Sequence, residues 1–502
     1  MRHGRISDLI RRTAGALLLL GSVGVSTDTL TFAEDANCAT PAQSCTPACS
    51  DDVYKRAGER LAQHLQQVGS QSSGQGAMSC GNSGCANDGC VKESCLFGNL
   101  FAHGGAEEGE PWSATDLFND ECGGNCLKKH NWKLSGNLAQ SVTFNFGSPK
   151  DGINGPVTWT DQSNKYQLNQ FWLTLERPTD TTEKDWDFGG RVDAFYGTNA
   201  RFDTTGQLER KIDGQQFYGL ALPQFYQETA YKKVKVKTGH FISPVGFFTV
   251  DMTQNFFNTI PYTYQYGEPF THFGSLATWQ ATDKLVLGSG IIQGWDALGS
   301  SNHNAGWIGT AGYTWEDKSS IAYVGVWSNE PSQNSAIPAQ NYTSRYFQTL
   351  VYSKPFAEKF TYVAQSDFGT QKNALASGGV AQWYGLNQYL FYQQTEKLAW
   401  GFNFEWFRDQ NGFRVGTLLP NTIQQMPGSF RGLPAGRTGY AGNFYQMTMG
   451  PKWNIKKNVV LRPNLRFDFY EGDVLNAGGL KPFGDGQKNH QTILATDLYV
   501  TF

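Results

Sequence analysis

Residues 132–146, WKLSGNLAQSVTFNF, decide the fold of this chain. The apolar residues of this stretch, such as Leu138 and Phe144, stand mainly at even-numbered positions. Polar residues such as Asn137 and Thr143 stand at odd-numbered positions. This alternation predicts a β-strand with one apolar and one polar face. A soluble sandwich would turn the polar face to water outside, but a membrane barrel would turn it to the lumen. The number of strands and their connections must decide between the two.

Stretches of this kind recur, and most have the roughly 9–11 residues that a tilted transmembrane strand needs. Short connections such as TD and NIKK alternate with long links such as 240–270 and 408–442. This pattern is typical of outer-membrane barrels, in which an even number of strands returns both ends to one side. We therefore predict an all-β chain that forms an antiparallel transmembrane β-barrel of about 16 strands, in a range of about 14–18. The candidate strands are 132–146, 166–177, 186–197, 217–230, 232–239, 271–281, 284–294, 306–315, 319–328, 342–353, 360–368, 381–393, 398–407, 443–452, 458–470 and 491–502.

The aromatic residues support a barrel in lipid, because they make up 14% of the chain and include 14 tryptophans. Aromatic belts at both membrane interfaces are expected of such barrels. The predicted short-turn belt contains Trp132, Trp186, Trp279, Trp315 and Trp400. The predicted belt at the long-loop end contains Trp295, Trp307, Trp327 and Trp406.

Charged side chains in the candidate strands share the polar parity. An arginine facing lipid at mid-depth would cost ~2–4 kcal/mol, so these groups should point into the lumen. The alternative is the charged outer face of a soluble sheet. The predicted lumen-wall charges are Asp187, Arg191, Asp193, Arg462, Arg466 and Asp468.

The third long link, residues 240–270, is rich in aromatic residues and is predicted to fold inward. Our hypothesis is a pore constriction in which Asp251 and Glu268 on this loop face arginines on the wall. Opposed charges across a pore set its ion selectivity. The alternative is that both acids are ordinary surface charges of the loop. The wall arginines of this hypothesis are Arg191, Arg462 and Arg466.

Several segments of the chain resemble the β-barrel porin-2 family (OmpL-like), from about residue 130 to Phe502. The segments are WDFGGRVDAFYGTNARF, LPQFYQETAY, KVKTGHFISPVGFFTVDMTQNFFNTIPYTYQYGEPFTHFG and LVLGSGIIQGWD. The resemblance implies a bacterial outer-membrane barrel with pore activity. Phe247 and Phe248 stand where similar sequences often carry an acidic residue after the Pro-x-Gly turn.

The first 33 residues are predicted to be a cleaved signal peptide. A basic start, MRHGRISDLIRR, precedes the apolar run TAGALLLLGSVGV, and TFA before Glu34 is a suitable cleavage site. The mature chain would divide into a Cys-rich periplasmic N-terminal extension, 34–130, and a barrel, 131–502. Within the extension, residues 51–68 are predicted to form a short helix.

All nine cysteines lie in the first 126 residues. In an exported protein we expect disulfides. Zinc is the alternative, but the repeated spacing of four intervening residues does not match its usual ligand pattern, and we predict no metal site. The odd number of cysteines leaves at least one thiol for another role. The disulfide candidates are Cys80, Cys85, Cys90, Cys95, Cys122 and Cys126.

The chain ends in TILATDLYVTF, which predicts a last strand with Leu498 and Val500 facing lipid and Asp497 facing the lumen. Phe502 is predicted to lie in the aromatic belt at the short-turn end. A terminal strand that ends in phenylalanine also resembles the signal read by the outer-membrane barrel-assembly machinery. We therefore expect Leu498, Val500 and Phe502 to form the assembly signal.

The predicted function is a porin in the bacterial outer membrane that passes small hydrophilic solutes and ions by passive diffusion. No hydrolase, metalloprotease or phosphate-binding motif occurs, so we predict no enzyme activity and no cofactor. The net charge of −3 argues against nucleic acid as a partner. Expected partners are outer-membrane lipid, the barrel-assembly machinery and, as in many porins, two further copies in a homotrimer. The alternative is a structural or anchoring barrel whose Cys-rich region plugs the lumen or binds the cell wall or a partner.

Overall fold

A computed structural model of the protein describes residues 112–119, 125–203, 205, 208–209, 217–298, 305–333, 342–416, 439–472 and 479–502. Helical elements in these ranges are short. They are a 3₁₀ turn at Ala114–Phe118, helices α1 (Cys126–Lys129) and α2 (Ala200–Asp203), a 3₁₀ turn at Met252–Gln254 and a π turn at Thr263–Gly267. No helix in the described ranges has the length and apolar character needed to cross a membrane. The same ranges contain no cluster of residues that could hold a metal ion.

Sixteen strands make up the rest of the described fold, in agreement with the predicted number. Their bounds are β1 Lys133–Asn145, β2 Lys165–Arg177, β3 Trp186–Gly197, β4 Gly219–Tyr231, β5 Val234–Ile242, β6 Thr271–Gln280, β7 Leu285–Ile292, β8 Gly306–Thr314, β9 Ser320–Pro331, β10 Tyr342–Phe356, β11 Phe360–Gln371, β12 Ala381–Gln393, β13 Leu398–Asp409, β14 Gly442–Lys456, β15 Val459–Glu471 and β16 His490–Thr501.

Each strand pairs with the next in the chain, and β16 pairs antiparallel with β1, so the sheet closes into a barrel. In the closing ladder Asn137 lies opposite Thr501. Closure continues one residue further, because Gly136 and Phe502 exchange both backbone hydrogen bonds at 2.7 and 2.9 Å. Closure leaves no open strand edge whose backbone N–H and C=O groups would lack hydrogen-bond partners in lipid. The predicted fold class, an antiparallel β-barrel of sixteen strands, is confirmed.

The two faces of the barrel have the predicted character. On β1 the side chains of Asn137, Ser141 and Thr143 are buried, whereas Phe144 on the opposite parity is 49% exposed. On β15, Arg462 and Arg466 are fully buried. The buried face of a closed sheet is its interior, so the polar parity lines the inside and the apolar parity faces outward.

Most of the predicted belt tryptophans are exposed on the outer face. Trp186, Trp279 and Trp400 lie on strands next to short turns and are 45–54% exposed, and Trp307 and Trp327 lie near the long links. Their position at the strand ends agrees with two aromatic belts.

Trp295 is an exception, and its predicted place in the outer belt is wrong. It is only 2% exposed and packs edge-on against Phe347 and Trp383. The guanidinium of Arg345 lies 4.5 Å from its ring centroid. Trp295 follows the end of β7, where strand parity no longer dictates direction, and the cationic partner favours the inward position.

The predicted signal peptide, the short helix at 51–68 and Cys80, Cys85, Cys90, Cys95 and Cys122 lie outside the described residues. Cys126 is described, and it is exposed at the start of α1. The residues before β1 bond to the backbone at the start of β1. The Thr115 hydroxyl donates to the Leu134 carbonyl at 2.8 Å and accepts from the Leu134 amide at 2.9 Å.

Candidate functional site

The segment 243–270, which joins β5 to β6, is the centre of the candidate site. Almost all of its residues are buried. Side chains on the inward faces of six strands, namely β1, β2, β11, β12, β13 and β15, bond to it. Partners on so many strands hold the segment at several points along its length.

The two ends of the segment meet at a neck beside β6. The Ser243 amide donates to the Phe270 carbonyl at 2.8 Å, and the Ser243 hydroxyl lies 3.0 Å from His272 Nε2. The carboxylate of Asp296 accepts the amides of Phe270 and Thr271 at 2.9 and 2.8 Å. These bonds satisfy the backbone where the chain leaves and rejoins the sheet.

Asp251 caps the 3₁₀ turn at Met252–Gln254 and connects it to the wall. Its Oδ1 accepts the Thr253 amide at 3.0 Å and the side-chain amide of Asn137 on β1 at 3.2 Å. Gln170 of β2 holds the same turn from the other side, because its Nε2 donates to the Val250 carbonyl and its Oε1 accepts the Met252 amide. Asp251 therefore has a structural role in this turn.

Arg462 connects the same turn to β15. Its Nε donates to both carboxylate oxygens of Asp497 at 3.0–3.1 Å, and Nη2 donates to Asp497 at 2.5 Å. The remaining nitrogen, Nη1, donates to the carbonyl oxygens of Met252 at 3.0 Å and Asn255 at 2.7 Å. The charge of the arginine is thus neutralised by Asp497 on β16, while its Nη1 group binds the segment.

Arg466 on β15 likewise pairs with an aspartate and bonds to a backbone carbonyl of the segment, in this case that of Ile260. Its Nε donates to Asp468 at 2.9 Å, and Nη1 donates to the Ile260 carbonyl at 2.6 Å. Asp468 also accepts the Tyr262 hydroxyl at 2.9 Å. This second arginine–aspartate pair, whose two members both lie on β15, therefore binds the segment through both charged groups.

Two further acids connect the segment to the wall, Glu405 from the wall and Glu268 from the segment. Glu405 on β13 accepts the amides of Tyr262 and Thr263 at 2.7 and 2.5 Å. Glu268 accepts from Gln365 Nε2 on β11 at 2.5 Å. Glu405 lies on the polar parity of its strand, so sequence marks it as inward, although no sequence signal shows that it binds this segment.

Arg191 contacts a different set of residues. It pairs with Asp193 at 2.9 Å and with Glu176 at 3.7 Å, on β3 and β2. Asp187 on the same strand pairs with Arg177 at 3.2 Å. The structure thus brings Asp251 and Arg462 together through one turn, whereas Glu268 and Arg191 bond elsewhere on the wall.

We expect Gly246→Ala to destabilise the segment. Gly246 has φ +77°, and a Cβ there would lie 2.2 Å from the Glu268 carboxylate. Backbone strain of this kind costs ~1–3 kcal/mol, and the steric clash adds to it. The matched control is Gly479→Ala, with φ +66° and no heavy atom within 4 Å. Thermal unfolding in detergent should show a larger fall in melting temperature for Gly246→Ala, and equal falls would contradict this role for the Glu268 contact.

The chain is similar to several solved structures of low sequence identity. An anion-selective porin from Comamonas acidovorans is 12% identical, with a TM-score of 0.49 over 74% of this chain and 99% of that chain. OprB of Pseudomonas putida is 12% identical, with a TM-score of 0.48 over 75% and 95%. The channel DcaP of Acinetobacter baumannii is 10% identical, with a TM-score of 0.47 over 74% and 97%.

No curated protein sequence matches the chain. The sequence model of one family, described as "Putative beta-barrel porin-2, OmpL-like", matches residues 131–502. The matched residues include all sixteen strands and the segment 243–270. Because this match spans well over half of the sequence, the chain belongs to the OmpL-like β-barrel porin-2 family.

Proposed function

We propose that the protein is an outer-membrane porin that passes small hydrophilic solutes and ions by passive diffusion. The observation that carries this proposal is a closed barrel of sixteen strands whose polar parity is turned inside. Barrels of 16–18 strands leave room for an aqueous channel. Family membership supports the same function. Passive diffusion needs no cofactor and no catalytic group.

In this proposal the segment 243–270 is the inward-folded loop that narrows the channel. Its support is the set of bonds to inward-facing residues, from Asn137 on β1 to Arg462 on β15. An exposed loop of this composition would leave aromatic residues in water, whereas inside the barrel they pack against the wall. Pore width at this segment would then limit the size of the solute.

Ion selectivity in this proposal depends on Asp251, Glu268, Arg191, Arg462 and Arg466. Arg462 and Arg466 act mainly by neutralising Asp497 and Asp468, because each arginine is fully buried against its aspartate. The balance between the paired charges, rather than a free positive surface, would set the preference for anions or cations.

Conductance in planar bilayers tests the function directly. We expect discrete current steps from the full mature chain and from a truncated chain that begins at Lys129. Steps only from the truncated chain would mean that the Cys-rich region plugs the lumen. An absence of steps from both proteins, each shown to be folded by its heat-dependent gel migration, would contradict the porin function.

Export, assembly and oligomeric state belong to the same proposal. The signal peptide 1–33 would direct export, and the barrel-assembly machinery would insert residues 131–502 into the outer membrane. A homotrimer is the proposed oligomeric state. Chemical cross-linking of the membrane-inserted protein should give a ladder that ends at three subunits.

A further inference from the structure

A row of polar side chains lies on the outward face of three neighbouring strands. Gln227 on β4 is directly opposite Thr238 on β5, and Thr238 is directly opposite Ser275 on β6. Gln227 and Thr238 are exposed, and Ser275 is partly exposed. Gln227 and Ser275 share the outward parity of their strands with the exposed residues Tyr231 and Trp279. We call Gln227, Thr238 and Ser275 the polar row.

The polar row lies within the depth of the membrane. Tyr231 follows Gln227 by four residues on β4, and Trp279 follows Ser275 by four residues on β6. Four residues of a strand tilted by about 40° span roughly 10 Å of depth, measured from the aromatic belt at the short-turn end. The apolar band of such barrels is about 25 Å tall. The row therefore faces hydrocarbon, where water cannot satisfy polar groups.

Other outward-facing glutamines are satisfied within their own barrel. A tyrosine hydroxyl donates to the side-chain oxygen at 2.9 Å for Gln140, 2.9 Å for Gln348 and 3.1 Å for Gln388. In the described ranges no tyrosine bonds to Gln227. Its Nε2 reaches the hydroxyl of Thr229 only at 3.5 Å, and its side-chain oxygen accepts no hydrogen bond from a described residue. An amide left unpaired in hydrocarbon costs free energy.

The rest of the polar row also has hydrogen-bonding capacity to spare. The hydroxyls of Thr238 and Ser275 lie 2.9 Å apart and bond to each other. One such bond uses one of the two O–H donors, so the other donor is left for a partner outside the pair. Between the row and the belt the outward side chains are short, namely Thr229, Val236 and Ala277. Short side chains let another protein surface approach closely.

The other side of the barrel has a different outward surface. Phe402, Met449, Leu465 and Leu494 lie directly opposite one another across β13 to β16. This row is entirely apolar, and its side chains are large. Such a surface suits lipid. The polar row is therefore a local feature of β4 to β6 and not a general property of the outward face.

We propose that the polar row is the contact surface between copies of this chain in the outer membrane. Copies in one membrane are related by an axis along the membrane normal, so every residue meets its partner surface at its own depth. The rows of neighbouring copies are then level with each other. A carboxamide and a hydroxyl each donate and accept hydrogen bonds, so the row is complementary to itself. A lipid tail offers no such partner. This inference rests on the proposed homotrimer and names the face that forms it.

The test measures the oligomeric state of the full-length protein in mild detergent by size-exclusion chromatography with light scattering. Thr238→Trp places a large ring in the contact and should give monomers. The triple variant Gln227→Leu, Thr238→Val, Ser275→Ala keeps similar volumes but removes the polar groups, and it should weaken association roughly tenfold. Heat-dependent gel migration shows that each variant is folded. The matched controls are Gln388→Trp and Gln388→Leu on β12, which should associate as the natural protein does.

Three results would overturn this contact surface. They are a natural protein that is monomeric, natural association of both the Thr238→Trp and the triple variant, or an equal loss of association in Gln388→Trp. A natural dimer that Thr238→Trp separates would support the surface and correct the number of copies. The variants leave the lumen unchanged, so monomers of the triple variant should still give current steps in a planar bilayer. If neither the natural protein nor the variants give steps, the porin function fails, while the oligomeric states still test the surface.

Discussion

The double variant Arg462→Gln, Arg466→Gln should make the channel more selective for cations and loosen the segment 243–270. Each arginine is fully buried and paired with an aspartate of the wall, Asp497 or Asp468. Without the arginines, both aspartates are left as uncompensated negative charges inside the barrel. Removing one partner of a buried pair costs ~3–5 kcal/mol, so stability should also fall. The reversal potential across a salt gradient and the melting temperature in detergent measure the two effects.

The loss of the arginines also removes the bonds to the Met252, Asn255 and Ile260 carbonyls, so current noise should rise as the segment moves.

The matched variants separate charge from packing. Arg462→Gln combined with Asp497→Asn removes both members of the pair, so the reversal potential should return toward the natural value. Arg408→Gln on the outward face of β13, where the arginine bonds to Gln410 and Asn443, is the control for the loss of an arginine alone. If the double arginine variant keeps the natural reversal potential, these arginines do not determine selectivity.

Alternation along single strands made the barrel predictable from sequence. On β15, Arg462 and Arg466 alternate with Leu461 and Leu465, and the structure buries the first pair. A shift of one residue in the strand pairing would turn the arginines to lipid. The free-energy cost of an arginine in lipid therefore fixes which parity of the strand faces the inside of the barrel. Connection lengths then give the number of strands without any knowledge of contacts.

The bonds inside the barrel were not predictable in the same way. Arg462 holds the carbonyl of Met252, which is 210 residues away in the chain. A backbone carbonyl has no residue-specific signal, so sequence shows that Arg462 points inward but not what it binds. Gln170 and Glu405 were missed for this reason. Trp295 was misplaced because it lies beyond the end of its strand, where period-two patterning gives no direction.

Deleting Phe502 should lower the amount of assembled barrel several-fold without changing synthesis. The residue closes the ladder, because its amide and carbonyl bond to the carbonyl and amide of Gly136 at 2.9 and 2.7 Å. Two lost bonds cost roughly 1–3 kcal/mol together, and the amide and carbonyl of Gly136 are left at an open edge. The ring also contacts Phe171 and Trp112, with centroids 6.3 and 6.1 Å apart. Heat-modifiable barrel in outer-membrane fractions, relative to total protein, measures the effect.

Phe502→Leu distinguishes closure of the barrel from recognition of the aromatic ring. Leucine keeps both backbone bonds to Gly136 and an apolar side chain, so a defect caused only by the open ladder should disappear. If assembly is still reduced, the aromatic ring itself is needed, as expected for a signal read by the assembly machinery together with Leu498 and Val500. Full assembly of both the deletion and the leucine variant would contradict any role of this residue in assembly. If the leucine variant assembles normally and the deletion variant does not, the effect belongs to the last pair of backbone hydrogen bonds in the sheet. The backbone of residue 502 alone would then explain why the chain needs this residue.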